Sequence, residues 1–172
     1  MKKTLILILL TILITGCGEK KQKEVGINLL DEIKIETENA NMICSSNIKD
    51  NQEYEIATKI AVYLDSNDIV TTIESAEIIA SENIDILNDF ESYYNSNYEK
   101  IGNYGGYTYD IHQEKKRLLA NVIIDYNTFN TEAYVADYPE IAETFNEEYK
   151  MTKDKLIETY KNQGIECEIK QD

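Results

Sequence analysis

From Tyr54 to Leu64 the chain alternates: Tyr54, Ile56, Thr58, Ile60, Val62 and Leu64 fall on one phase, Glu55, Ala57, Lys59 and Ala61 on the other. Successive side chains of a strand point to opposite faces, so this spacing predicts a β-strand with one buried face. Such a strand must pair. Asp65-Ser66-Asn67-Asp68 follows, a cluster of short polar side chains that bond their own backbone and join hairpin strands. A further strand is expected from Ile69 to about Ile79, with Ile69, Thr71 and Ile73 on one side. The short apolar run Met42-Ile43-Cys44-Ser45, ending in the polar turn Asn47 to Gln52, supplies an earlier one. Together they make an antiparallel meander.

The period then changes. Ser81 offers an N-cap, and Ile84, Leu87, Phe90, Tyr94, Tyr98 and Ile101 recur every three or four residues, the stripe of an amphipathic helix ending near Gly102. Gly105-Gly106 opens a fourth strand with Tyr107, Tyr109 and Ile111 on one face, and His112 to Lys116 reads as a turn. Leu118, Ala120, Val122, Ile124 and Tyr126 mark a fifth strand. Pro139, the only proline, suits the first turn of a helix, with Ile141, Phe145 and Tyr149 at i, i+4 and i+8. A last helix is expected from about Thr152 to Gly164 and a last strand from Ile165 to Ile169. The order βββ-α-ββ-α-α-β predicts an α+β fold, an antiparallel sheet with helices packed on one face, in one compact domain over residues 39–172.

The first residues read differently. Met1-Lys2-Lys3 precedes a run of Leu and Ile from Thr4 to Thr15, and small residues lead into Cys17. Charged start, apolar middle and small-residue site are the layout of a secretory signal peptide. The run is too short for a spanning helix, which needs about 20 apolar residues. Ile14-Thr15-Gly16-Cys17 resembles the bacterial lipobox. That resemblance implies removal of residues 1–16 and a diacylglycerol on Cys17. Residues 17–38 are then expected to form a flexible tether, in which Ile27, Leu29, Leu30, Ile33 and Ile35 suggest a short helix or strand. The expected location is the extracytoplasmic face of a cell membrane, with Cys17 as the membrane contact. Loss of Lys2 and Lys3 takes the formal charge from −15 to −17. So acidic a body repels nucleic acid, and no nucleic-acid partner is expected. Lys20, Lys21 and Lys23 beside the anchor favour an anionic surface at about 1 kcal/mol each.

With Cys17 assigned to lipid, Cys44 and Cys167 remain. In an oxidising compartment an even pair reads as a disulfide. The alternatives are two buried thiols or a metal site, although two Cys and one distant His make no zinc set.

Several segments together resemble the YehR-like small bacterial lipoproteins, whose domain has no known function. They are the lipobox, the Lys/Glu-rich tether, the early Cys strand, the Tyr-rich helix before Gly106-Tyr107-Thr108-Tyr109, the strand ending Ile124-Asp125-Tyr126, and Lys161 to Cys167. The resemblance spans residues 1–170 and implies an exported α+β domain without catalytic residues to carry over.

Motifs for chemistry are sparse. His112, the only histidine, falls at an expected turn with no nucleophile beside it. Asp65 to Asp68 fails as a calcium loop, because Ile69 and Val70 stand where an oxygen ligand and a glycine belong. Gly102 to Gly106 precedes a strand, whereas a phosphate loop follows one. No catalytic residue, metal or cofactor is expected. The compositional oddity is 13 Tyr against three Phe and no Trp. Tyr94, Tyr98, Tyr104, Tyr107 and Tyr109 are candidates for a binding surface, since tyrosine joins apolar area to a hydrogen-bonding tip. The bland reading is that they replace Phe in a small core. The expected function is a non-enzymatic membrane-anchored lipoprotein that binds a protein, peptide or envelope ligand. The alternatives are a solute-binding component of a transporter, and an envelope hydrolase with an unrecognised acid pair.

Overall fold

The computed structural model describes residues 28–50 and 53–170; the signal segment, the lipobox and Cys17 lie outside them. In chain order the elements are α1 (Leu29–Glu32), β1 (Met42–Asp50), β2 (Tyr54–Leu64), β3 (Val70–Ser81), α2 (Ile84–Gly102), β4 (Tyr107–Glu114), β5 (Arg117–Asp125) and α3 (Thr131–Asp137), then a 3-10 helix (Pro139–Thr144), α4 (Lys153–Asn162) and β6 (Glu166–Ile169). All six strands join one antiparallel sheet in the order β4-β5-β3-β2-β1-β6. The expected α+β architecture on an antiparallel sheet is what forms, with α2, α3 and α4 on one face; the expectation that all helices share that face is corrected by α1, which packs on the other.

The helix-covered face carries the main core. Met42, Ile56, Ile60, Val62, Ile73, Ile79, Leu118 and Val122 point from the strands to Leu87 of α2, Tyr134 of α3, and Leu156 and Tyr160 of α4. The expected phase of β3 is corrected at its start. Leu64 pairs with Val70 while Tyr63 pairs with Thr72, so Thr71 is the extra residue of a bulge. A bulge reverses the alternation behind it, and Val70 rather than Ile69 enters the core. β3 also runs on to Ser81, whose hydroxyl donates to Glu53 O and accepts from Asn83 N. The cap of α2 is therefore Asn83, whose side chain accepts from Asp85 N at 3.0 Å.

Two further expectations change. β4 continues through His112 to Glu114, leaving Lys115 and Lys116 as a two-residue hairpin turn with Lys115 at φ 54°. The helix expected through Tyr149 stops at Thr144 as a 3-10 turn. Asn146 Oδ1 accepts from Glu148 N and Lys150 N, both at 2.9 Å, and this local bonding displaces the helical ladder. The ambiguous stretch before Pro139 is helical, capped by Asn130, which accepts from Ala133 N. Gly106 at φ +59° is required where the chain enters β4. A Cβ there would meet the backbone at Asp125 O and Phe129 N, each 2.5 Å away.

The other face of the sheet is covered as well. Leu29 and Ile33 are buried against Ala57, Ala76 and Ile78, with Leu30, Ala80 and Leu119 packed around them. Tyr63 donates its hydroxyl to Glu36 O at 3.1 Å, and Arg117 holds Glu32 with Nη2 3.1 Å from Oε1. Residues 28–38, expected as loose tether, thus belong to the folded body. β2 is buried on both faces along its middle, which explains small alanines where the alternation expected solvent. Burying Leu29 and Ile33 contributes about 1.5–3 kcal/mol each, against about 0–1 kcal/mol for a part-exposed ion pair. Packing therefore holds this segment down.

Cys44 on β1 lies opposite Cys167 on β6, with Cα atoms 4.0 Å apart and sulfurs 2.10 Å apart. Lys170 N donates to Asn41 O, which by the antiparallel alternation puts the cysteines at a non-hydrogen-bonded pair, where side chains approach most closely. The link spans 123 residues in sequence and fastens a four-residue edge strand that is otherwise largely exposed.

Two outcomes are expected in chemical denaturation. Leu29→Ala should cost about 2–4 kcal/mol, whereas Glu32→Gln should cost under about 1 kcal/mol; equal losses would refute packing as the dominant contact. The Cys44→Ser/Cys167→Ser variant should lose about 2–5 kcal/mol, and the native unreduced chain should leave both cysteines unlabelled by a thiol reagent.

Candidate functional site

The five tyrosines expected at a surface divide. Tyr94, Tyr98 and Tyr107 are core residues, which corrects that expectation for them. Their burial follows from spacing: Tyr94 and Tyr98 lie on the inward stripe of α2, and Tyr107 starts β4 on the face that α2 covers. Tyr94 and Tyr98 stack at 5.4 Å, and Tyr98 touches Tyr107 and Tyr109 at 5.9 and 5.1 Å. Tyr109 retains 37% exposure at the edge. Tyr104 joins a separate group with Phe129, Tyr134 and Tyr138, and donates to Asp137 Oδ2 at 2.7 Å. The five do not form one face.

Tyr94 and Tyr98 lie beside a buried carboxyl. Glu77, on central strand β3, is 2% exposed. Thr58, its cross-strand partner, donates to Oε2 at 2.7 Å, and the Tyr94 hydroxyl donates to Oε1. Burial pushes its pKa up to about 7, against the opposing pull of these two donors. The same carboxyl, with burial as the larger cause, holds the Tyr94 phenol well above its usual range. Counting in twos from Ile73 through Ser75 to Ile79 places Glu77 on the inward face. The alternation thus held the signal for a buried acid.

A surface site lies at the opposite end of the β2–β3 hairpin. There a depression of about 410 Å³ opens between the hairpin tip, the chain after β5 and the loop before α4. Its apolar lining is Ile69, Val70 and Met151, of which Val70 and Met151 are buried. Asp65, Asn67, Asn146, Glu148 and Lys150 bring polar groups, and Thr71, Tyr126, Asn127, Thr131 and Tyr149 complete the lining.

Each wall is fixed from within. Asp65 Oδ1 accepts from Asn67 N at 2.8 Å and Ile69 N at 2.9 Å. These bonds keep its carboxyl below the usual range, the one to Ile69 foremost. They also show Asp65 to Asp68 to be turn chemistry. Val70 N donates to Met151 O and Lys153 N to Asp68 O, both at 2.9 Å, so the two loops are stitched together. Lys150 Nζ lies 2.8 Å from Glu148 Oε2, and that bond raises the lysine and lowers the carboxylate. Lys153 Nζ is 2.7 Å from Asp68 Oδ1. Tyr149, at φ 57° and 41% exposed, stands beside the opening instead of packing inward as a helical residue. Sequence reasoning missed this site; its signal was Asn146, an Asx-turn residue inside the stripe Ile141, Phe145, Tyr149.

His112 is an exposed edge-strand residue paired with Leu119. Among the described residues, no group of three His, Cys, Asp or Glu is arranged to hold a metal, and no helix is long and apolar enough to cross a membrane.

No family model and no curated protein matches the chain. Among solved structures it is similar to a protein from Streptococcus pneumoniae TIGR4 determined by NMR, with 13% identity, 89% of this chain and all of the other covered, and a TM-score of 0.44.

A carboxyl raised on folding favours the protonated native state. The unfolded chain, with its pKa near 4.5, loses that proton first as pH rises. Glu77 should therefore lower stability between about pH 4.5 and 7, and add nothing further above. Relative to Glu77→Gln, the native protein should lose on the order of 3 kcal/mol across that window in urea melts. Parallel pH profiles for the two proteins would overturn this account.

Proposed function

We propose that this chain is a lipid-anchored extracytoplasmic lipoprotein, of the YehR-like kind, whose domain binds a ligand and is not an enzyme. The single observation that carries the compartment is the cross-strand pair Cys44–Cys167, because a structural disulfide needs an oxidising environment. It supports the lipobox reading from outside the signal segment: two features with different physical causes point to export. The acidic body stands off an anionic membrane, while Lys20, Lys21 and Lys23 attend the anchor. What supports a binding role is the depression beside Tyr149. It has an apolar lining, a polar rim and walls tied by backbone bonds, the layout of small-molecule sites. Its volume also keeps the transporter reading in play, since about 410 Å³ suits a small solute.

Fractionation of the native host tests the anchor. The wild-type chain should stay with membranes after a carbonate wash, and Cys17→Ser should appear in the soluble fraction or as an uncleaved precursor. Membrane retention of a Cys17→Ser chain that has been processed like the wild type would remove the proposal.

A further inference from the structure

We infer that the depression between the β2–β3 hairpin tip and the loop before α4 is a saccharide-binding site for a neutral or amino sugar. This rests on the binding role proposed above and names its ligand class.

Three other ligand classes fit the geometry less well. An anion such as a phosphate or carboxylate needs an uncommitted cation. Lys150 is held by Glu148 at 2.8 Å and Lys153 by Asp68 at 2.7 Å, while Asp65 remains ionised. The local charge thus disfavours a negative ligand. A wholly apolar ligand would strand the amides and carboxylates of the rim, at about 1–3 kcal/mol for each polar group left unpaired. A peptide adding a strand would find the backbone here already used, Val70 with Met151 and Asp68 with Lys153.

A sugar ring presents what remains: hydroxyls at its edge and C–H groups on its faces. Asp65 and Glu148 can accept two hydroxyls at once, and the Asn67 and Asn127 amides both donate and accept. The Thr131 hydroxyl adds a group of either kind. Tyr149 offers a ring for stacking. A non-glycine residue at φ 57° costs on the order of 1–3 kcal/mol and persists where surrounding bonds hold it. Here Asn146 supplies those bonds. A rim fixed before binding spares the ordering cost that weak sugar contacts could not offset. The volume of about 410 Å³ lies within the roughly 300–1,000 Å³ of small-ligand sites.

The test uses the full lipidated chain in lipid nanodiscs and saturation-transfer NMR observed on the ligand. The probes are N,N′-diacetylchitobiose, cellobiose and maltose, with glucose 6-phosphate and trialanine as the anionic and peptide comparators. At least one disaccharide should receive saturation on its ring C–H protons. Tyr149→Ala should cut that transfer at least tenfold, with the thermal melt unchanged. Should Tyr149→Ala unfold, Thr131→Val, which keeps shape and deletes the hydroxyl, should still weaken binding about tenfold. Silence from all three disaccharides overturns the inference, as does transfer unaffected by either folded variant or a stronger response from glucose 6-phosphate or trialanine. A membrane-retained protein that ignores sugars would sink the saccharide site alone; a processed Cys17→Ser chain that stays on the membrane would sink the anchored reading itself.

Discussion

β2 and β3 pair over eleven residues at the centre of the sheet, and both of their faces are removed from water. An antiparallel pair with one wet face could rest on the helices alone. This one cannot, because Ala57 and Ala76 on the second face are too small to be shielded by their own bulk. Something must lie over them, and residues 29–33 do. The remaining organisation depends on this double cover. α2, α3 and α4 crowd onto one side, and the segment leading out from the expected anchor is drawn onto the other. Any tether between anchor and domain is therefore shorter than its composition implies.

The edges of the sheet are handled separately. β6 is four residues long with both glutamates and Ile169 exposed, so ladder bonds alone hold it weakly. The Cys44–Cys167 link converts that edge into a fixed one and ties the last strand to the first. At the sheet's centre, Glu77 sets a polar group under α2 where an apolar residue would pack without cost. Two hydroxyl donors, Thr58 and Tyr94, accommodate it. Five of the 13 tyrosines, Tyr94, Tyr98, Tyr107, Tyr134 and Tyr160, are buried, so part of the excess over phenylalanine is internal.

Most of the fold was legible along the chain, because period two and period 3.6 are local properties of amphipathic elements. The strands and both long helices fall close to where alternation and stripe predict them. Failures came where side chains compete with the ladder. The bulge at Thr71 reversed a phase, and Asn146 ended a helix that Phe145 and Tyr149 appeared to continue by spacing alone. The candidate site was hidden for the same reason. Its walls are Asx turns and loop residues from three separate stretches, and only the bonds between Val70 and Met151 and between Asp68 and Lys153 bring them together.

By itself the sequence determined the class of fold, the order of the strands and the acidic character of the body, since each is written in neighbouring residues. Tertiary structure decided which tyrosines are core, that the second sheet face is covered, that a depression forms beside Tyr149 and, among the readings open to Cys44 and Cys167, that they pair. Those outcomes depend on contacts between residues far apart in the chain, here up to 123 positions. No local period encodes such separations; the register of the sheet does.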